Sequence, residues 1–294
     1  MAIRKSSSER VFDVFNIVLL LSLVVITLYP VVHVLFASFS SPSALAQHRG
    51  LLLAPAGFSL SAFEAVFNNP NIMNGYRNTL FYVVAGTALN LFMTCLGAYA
   101  LSRKGLMWKT PITLFIVFTL FFSGGLVPSY LLVARSLNWI DSPLALLVPG
   151  VINTFNLLVL RTAFEQVPAA LEEAARIDGA NDIHILFKVI IPLSLPTLAV
   201  VVLFYAVAHW NAFFSALIYL RDRELYPLQL ILREILIANQ VGDMTTGALG
   251  ADVEPIGETI KYATIIVATV PILLLYPFLQ RYFVKGVMIG GVKE

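Results

Sequence analysis

Long apolar runs alternate along this chain with short polar interruptions. Six runs are long enough to cross a bilayer, at roughly 14–38, 78–101, 110–133, 143–163, 193–219 and 259–283. About 20 helical residues traverse a hydrocarbon core some 30 Å thick. None of the runs shows the strict alternation of a membrane strand, and a helix satisfies its own backbone polar groups in lipid. The pattern therefore predicts an all-α polytopic fold of six helices. Pro30, Pro128, Pro149, Pro196, Pro271 and Pro277 lie in or beside these runs and predict kinks, tolerated where neighbours or water take up the freed carbonyls.

One stretch breaks this pattern. LEEAARIDGANDIHILFKVIIP, residues 171–192, carries Glu172, Glu173, Arg176, Asp178, Asp182, His184 and Lys188 between two apolar runs. Locally it reads as two short helices around a glycine. Pro168 suits a first helical turn, where its missing N–H is not needed. Val167, Leu171, Ala174 or Ala175, and Ile177 or Asp178 follow at three- and four-residue spacing and give one small, apolar face. Gly179 can take the left-handed conformation that closes a helix, and Asn181 or Asp182 can cap the next. The second helix would present Ile183, Leu186, Phe187 and Ile190 as an apolar ridge before Pro192. From pattern alone two readings stand: an amphipathic pair in the headgroup layer, or a protein-docking element. The excess of carboxylates is the wrong balance for anionic lipid, and the small Ala174–Ala175 pair suits close approach of a protein.

Composition agrees with the runs. Of 294 residues 59% are hydrophobic and 12% charged, against about 25% charged in an ordinary globular domain. The net charge of +2, with no basic cluster interleaved with aromatics, argues against a nucleic-acid partner. The single cysteine, Cys95, excludes an internal disulfide and a Cys-rich metal site and reads as a packing residue. After MAIRKSSSER the first apolar run extends from about Val14 to Ala37, beyond the length of a signal-peptide core, so we expect an uncleaved first span. Basic residues are denser in the segments that hold Arg4, Lys5, Arg10, Arg103, Lys104, Lys109, Arg161, Arg176, Lys188, Arg281, Lys285 and Lys293. The positive-inside rule then puts both termini and the charged hairpin in the cytoplasm.

Catalytic chemistry is missing from the sequence. There is no G-x-x-x-x-G-K-[ST] and no H-E-x-x-H, and His33, His48, His184 and His209 have no metal-ligand spacing. We expect no ATP hydrolysis, cofactor or metal on this chain. Within the spans Asn90, Thr94, Asn153, Asn156, His209 and Asn211 are polar groups in costly surroundings, which face a water-filled path or bond helix to helix. Trp210 lies between His209 and Asn211, and an aromatic face with amide hydrogen bonds suits a sugar. His209, Trp210, Asn211 and Asn156 are the candidate substrate-path residues.

Glu173-Ala174-Ala175, three residues, Gly179 and an apolar stretch ending in Pro192 resemble the EAA loop of ABC-importer permeases, with Val189 and Ile191 where Ile and Leu are usual. The wider EEAARIDGA, together with FYAVAHWNAFFSALIYL (204–220) and QRYFVKGVMIGGVKE (280–294), is similar to the carbohydrate branch of that family, the maltose-type MalG-like subunits and in particular the LplC/YtcP oligosaccharide type. The smaller permease subunit of alginate-oligosaccharide importers is the candidate counterpart within that branch. The resemblance runs from about Phe12 to Glu294.

It implies a six-span transmembrane domain over 14–283, after a cytoplasmic N-terminus at 1–13 and before a cytoplasmic tail at 284–294, in the bacterial inner membrane. The EAA loop, 165–191, becomes a coupling helix seated on a cytoplasmic ATP-binding subunit. Glu173 would pair with a basic residue there, Ala174 and Ala175 would allow close contact, Gly179 would supply the turn, and Asp178 and Phe187 would complete the joint. The tail, through Gly286, Gly290 and Gly291, would lie between two such subunits, which hold the ATP and magnesium. An extracytoplasmic solute-binding protein would dock on the outer loop, 221–258, and deliver an oligosaccharide. A second permease subunit would complete a heterodimer in the membrane lipid. The alternative, a secondary sugar transporter driven by an ion gradient, calls for paired charges at mid-membrane, which the spans lack.

Overall fold

A computed structural model of the chain describes residues 7–237 and 259–274, and their regular structure is helical apart from one isolated bridge between Ser40 and Phe58. The chain folds as two compact units. One draws on the described residues up to Asn69 and between Glu234 and Thr269, the other on Pro70–Arg233 and the described residues from Val270 onward.

In the first unit, α1 (Ser7–Ser38) is followed by the short helices α2 (Pro42–Gln47) and α3 (Ser61–Phe67). The most apolar window of α1 has none of its residues buried within the protein. A helix apolar on every side faces lipid or a partner. Its hydroxyls turn inward, Ser22 donating to the Val18 carbonyl and Thr27 to that of Leu23, both at 2.8 Å. Near its end the Tyr29 hydroxyl accepts the Leu52 N–H at 3.1 Å, and His33 meets Tyr262 edge-on.

The second unit is built on α4 (Pro70–Ser102), continuous over 33 residues. The next expected span, 110–133, is α5 (Lys109–Phe121) and α6 (Leu126–Leu131, extended by a π turn to Ser136), bent by 106° at Phe122-Ser123-Gly124-Gly125. The span expected at 143–163 is also divided: α7 (Leu144–Leu147) and α8 (Thr154–Glu165) flank Pro149-Gly150. Asn153 caps α8 by accepting the Asn156 N–H at 3.1 Å. Next come α9 (Ala169–Ile177) and α10 (Asp182–Ile185), the latter running through a π turn at Leu186–Ile190 into α11 (Ile191–Leu193). A 91° bend at Ser194 leads into α12 (Leu195–Trp210), and α13 (Phe214–Tyr219) completes the run expected at 193–219. Residues 228–237 form α14, and α15 (Thr259–Leu274) covers the described part of the sixth expected span. Among the described residues two helices are long and apolar enough to cross a membrane, or up to four if each bent pair counts as one span.

The core of this unit lies where α4, α8, the α10–α11 segment and α12 meet. Ala98 and Leu101, Leu160 and Phe164, Ile185, Leu186 and Ile190, and Val201 and Tyr205 form one buried cluster. Close packing of side chains, rather than exclusion of water, holds such helices together where they are surrounded by lipid. At the opposite end of α4, Asn74, Asn78 and Tyr82 donate to the carbonyls of Glu224, Tyr226 and Leu225, and Thr79 accepts the Leu228 N–H at 2.8 Å. The segment 224–228 is thereby stitched to one face of α4.

Candidate functional site

The charged hairpin follows the local chemistry of its sequence. Pro168 stands immediately before α9, and none of the nine residues of that helix is buried. The helix closes as Asp178 and Ala180 donate to the carbonyls of Ala174 and Ala175, with Gly179 at φ +84°. A left-handed residue costs a non-glycine side chain about 1–2 kcal/mol. Asn181 caps α10, its Oδ1 accepting the His184 N–H at 2.8 Å.

Ion pairs bind the hairpin to the end of α4. Arg103 pairs with Glu172 and donates to the Phe164 carbonyl at 3.1 Å, with its guanidinium 4.8 Å from the centre of the Tyr99 ring. Arg176 joins Glu172 to Asp182, which also accepts the Tyr99 hydroxyl at 3.2 Å. Beside them Glu165 receives Lys109 at 2.8 Å and Arg161 at 3.1 Å. Partial burial raises the Glu165 pKa, but these hydrogen bonds outweigh it and hold the carboxyl below the ordinary glutamate range.

The neighbouring Glu173 behaves differently. Its side chain is exposed and makes no hydrogen bond or ion pair among the described residues. Ala174 and Asp178 are exposed as well, whereas Ala175 packs against the core. Ile177 is 86% exposed, Ile183 58% and Phe187 42%. The expected ridge of Ile183, Leu186, Phe187 and Ile190 is thus divided, with Leu186 and Ile190 buried beside Ile185 and the other two outside. The outcome is a face of exposed aliphatic and aromatic side chains around unpaired carboxylates. A cavity of about 860 Å³ opens between this hairpin and the end of α4, lined by Arg103, Lys104, Glu172, Glu173 and Arg176 among others.

A second polar site lies between α4, α8 and α12. This cavity, about 500 Å³, is lined by Asn90, Asn153, Asn156, Tyr205 and His209, with Phe155 and Phe204 as apolar walls, and its lining holds no acid, lysine or arginine. The Tyr205 hydroxyl accepts the Asn153 N–H at 3.0 Å and shares a hydrogen bond of 2.7 Å with the Thr94 hydroxyl. His209 Nε2 lies 3.0 Å from Asn90 Oδ1. The imidazole fits because position 86 is glycine: a Cβ there would lie 2.4, 2.6 and 2.8 Å from three ring atoms.

Of the four expected path residues, Asn156 and His209 line this cavity. Trp210 and Asn211 do not. Trp210 is buried with its ring 6.3 Å from that of Tyr76, and the Asn211 amide turns back to the Val207 carbonyl at 2.9 Å. Gly286, Gly290 and Gly291 lie outside the described residues, as does the part of the outer loop beyond residue 237. Arg103, Tyr205 and Gly86 were not expected as site residues. A signal existed for the last: Tyr82, Gly86, Asn90, Thr94 and Ala98 recur every four residues on α4, and all are buried. That spacing places them on one helix face.

Comparison with known proteins places these features in context. Residues 106–289 match the family described as binding-protein-dependent transport system inner membrane component. The polygalacturonan/rhamnogalacturonan transport system permease protein YtcP of Bacillus subtilis is 42% identical, over 97% of this chain and 99% of that protein. Protein LplC of the same organism is 40% identical, over 98% and 97%. Among solved structures, a chain of a bacterial ABC transporter involved in the import of the acidic polysaccharide alginate superposes with a TM-score of 0.87 at 36% identity, covering 96% of this chain and all of that one.

Proposed function

Because the chain belongs to the family of binding-protein-dependent transport system inner membrane components, we propose that it forms half of the translocation pathway of an ATP-binding-cassette importer for acidic oligosaccharides. The other half is a second permease subunit. The chain lies in the bacterial inner membrane as a transport component. It crosses six times with both termini in the cytoplasm, α5 with α6, α7 with α8, and α12 with α13 each making one crossing.

One contrast carries the proposal. Of two adjacent carboxylates on α9, Glu172 is held by Arg103 and Arg176, while Glu173 is exposed and unpaired beside Ala174, Ile177 and Gly179. A helix tied down on one side and open on the other is suited to dock on a separate protein. Its occupant is one of two ATPase subunits, which hold the ATP and magnesium, and Glu173 meets a basic group there. An interfacial ion pair of this kind fixes register more than it adds affinity. Closure of the ATPase subunits moves the hairpin, and through it the helices that line the polar cavity. Gly286, Gly290 and Gly291 let the tail run extended between those subunits.

On the opposite side a solute-binding protein docks on the loop over 221–258 and delivers the sugar. Asn156 and His209 supply hydrogen bonds to its hydroxyls, and a wall without carboxylates does not repel uronate groups. The acidic substrate class follows the named cargo of the polygalacturonan and alginate systems.

Glu173→Lys tests the proposal in the reconstituted importer with its binding protein and oligosaccharide. Assembly should largely persist while substrate-stimulated ATP hydrolysis is lost. Normal stimulation in that variant overturns it.

A further inference from the structure

The polar cavity between α4, α8 and α12 has no cation in its lining, yet one stands beside it. Along the chain that lining ends at Ala212, and the next residue, Phe213, has the Arg233 guanidinium over its ring, 5.6 Å from the centre. Packing fixes the start of α14 in this place. Leu230 shares a buried cluster with Ala216 and Leu220; Leu146 packs against that cluster and also lines the cavity. Ile231 fits against α4 because position 75 is glycine, where a Cβ would lie 2.6 Å from the Ile231 Cδ1. Arg233 thus follows two anchored residues and does not hang from a slack loop.

A missing counter-ion points to a ligand. Among the described residues three arginines are partly buried, Arg103, Arg161 and Arg233. The first two pair with Glu172 and Glu165. Arg233 makes no hydrogen bond or ion pair among the described residues, and the Phe213 ring is its one polar or aromatic contact there. A charge drawn out of water without a partner is costly. The face of the ring offsets part of that cost. A guanidinium over an aromatic face also keeps its N–H edges free for two parallel bonds to a carboxylate. The Phe213 ring itself is 38% exposed, which leaves apolar surface beside that cation.

We propose that Arg233 and Phe213 form a carboxylate-binding subsite at the entrance to the polar cavity, and that it selects uronic-acid sugars over neutral ones. Such a sugar brings a planar carboxylate for the guanidinium and an apolar ring face for the phenylalanine. The subsite rests on the importer reading and deepens it: Asn156 and His209 serve hydroxyls that all sugars carry, whereas Arg233 meets the group that neutral sugars lack. A lone arginine holds an anion without trapping it, and a site on a transport path has to release what it binds. Beyond Arg233 the cavity presents no further cation to retain the carboxylate and no acid to repel it.

The test uses the full chain in its purified complex, in lipid nanodiscs and without the solute-binding protein. It is titrated with trigalacturonate and with galactotriose, which carries a hydroxymethyl group in place of each carboxylate. The natural complex should bind trigalacturonate about tenfold more tightly, the scale of a hydrogen bond to a charged group. Arg233→Gln should remove that preference and leave the galactotriose affinity as it was. Arg233→Lys, a charge without the planar fork, should keep part of it. The melting temperature should hold in both variants, since the Arg233 side chain ties no other element down. Equal affinities in the natural complex, a preference that survives Arg233→Gln, or an equal loss for both sugars with a lower melting temperature overturns the subsite. ATP hydrolysis with the solute-binding protein added is followed in the same samples. If the subsite fails while oligosaccharide still stimulates hydrolysis, the importer reading stands; stimulation by neither sugar overturns that reading as well.

Discussion

Arg103, at the end of α4, holds Glu172 of α9 in an ion pair that spans 69 positions of the chain. Both side chains are partly buried, and Arg103 is fixed further by the Phe164 carbonyl and the Tyr99 ring. The pair therefore ties the hairpin to the helix that walls the polar cavity, so a push on α9 reaches α4 without first being absorbed by a slack loop. Removing one partner of such a pair strands the other charge. Arg103→Ala should cost about 1–3 kcal/mol, and in the proposed importer it should lower transport more than assembly. A double-mutant cycle with Glu172→Gln checks it. Coupling near zero, with the two single effects simply adding, would show that the pair does not act as a joint.

At Gly179 the cost of substitution should be conformational and not steric. Its φ is +84°, and a Cβ built there meets nothing within 4 Å. Gly179→Asn, which tolerates the left-handed region, should be mildest, Gly179→Ala intermediate, and Gly179→Val worst, over a range of about 1–2 kcal/mol. Hydrogen exchange at the Ala180 amide, which closes onto the Ala175 carbonyl, reports the order directly. Equal protection in all three variants would contradict it.

These two positions also show how far the sequence could be read. The turn at Gly179 and the cap at Asn181 were legible because turn and cap chemistry is local, decided by the residue that sits there. The ridge on the next helix was not, since the π turn at Leu186–Ile190 adds residues to a turn and rotates Phe187 away from Ile190. A 3.6-residue period cannot register that shift. Prolines marked where helices deviate, yet Pro149 and Pro196 did not say how completely 143–163 would break or how sharply 193–219 would bend. His209, Trp210 and Asn211 are adjacent in sequence, but successive helical residues point in directions about 100° apart. Only His209 of the three lines the cavity. The four-residue stripe through Gly86, Asn90 and Thr94 was the better guide to that wall.

Gly86 should be indispensable for the His209 ring. Gly86→Ala places a methyl group where the imidazole now lies. Either the ring leaves Asn90 and intrudes on the cavity or α4 and α12 separate, at a cost of about 1–3 kcal/mol for overpacking. Transport by the variant should fall. Gly86→Ala combined with His209→Ala should recover much of the lost thermal stability, because the clash is gone, without recovering transport. Should the double variant prove no more stable than Gly86→Ala alone, contact between these two residues is not the cause.

Asp141 gives the structure a pH dependence whose sign can be stated in advance. The residue lies at φ +56° in the connection between α6 and α7, and its Oδ1 accepts the backbone N–H groups of Arg221 and Asp222. Those two bonds, the Arg221 one foremost, hold its carboxyl below the ordinary aspartate range. A group whose pKa is depressed by folding contributes its full stabilisation above the unfolded-state value and loses it as pH falls through the folded-state value. The segment after α13 should therefore stay closed at neutral pH and loosen only in acid, over the interval between the ordinary aspartate pKa and the lowered one. Hydrogen exchange at the Arg221 and Asp222 amides, corrected for the intrinsic pH dependence of exchange, measures this. Asp141→Asn keeps an acceptor and tolerates the same backbone conformation, so it should hold both amides more weakly at neutral pH and remove the acid transition. If the transition persists in Asp141→Asn, another group sets it, and the Asp141 carboxylate is not the clasp that holds this segment.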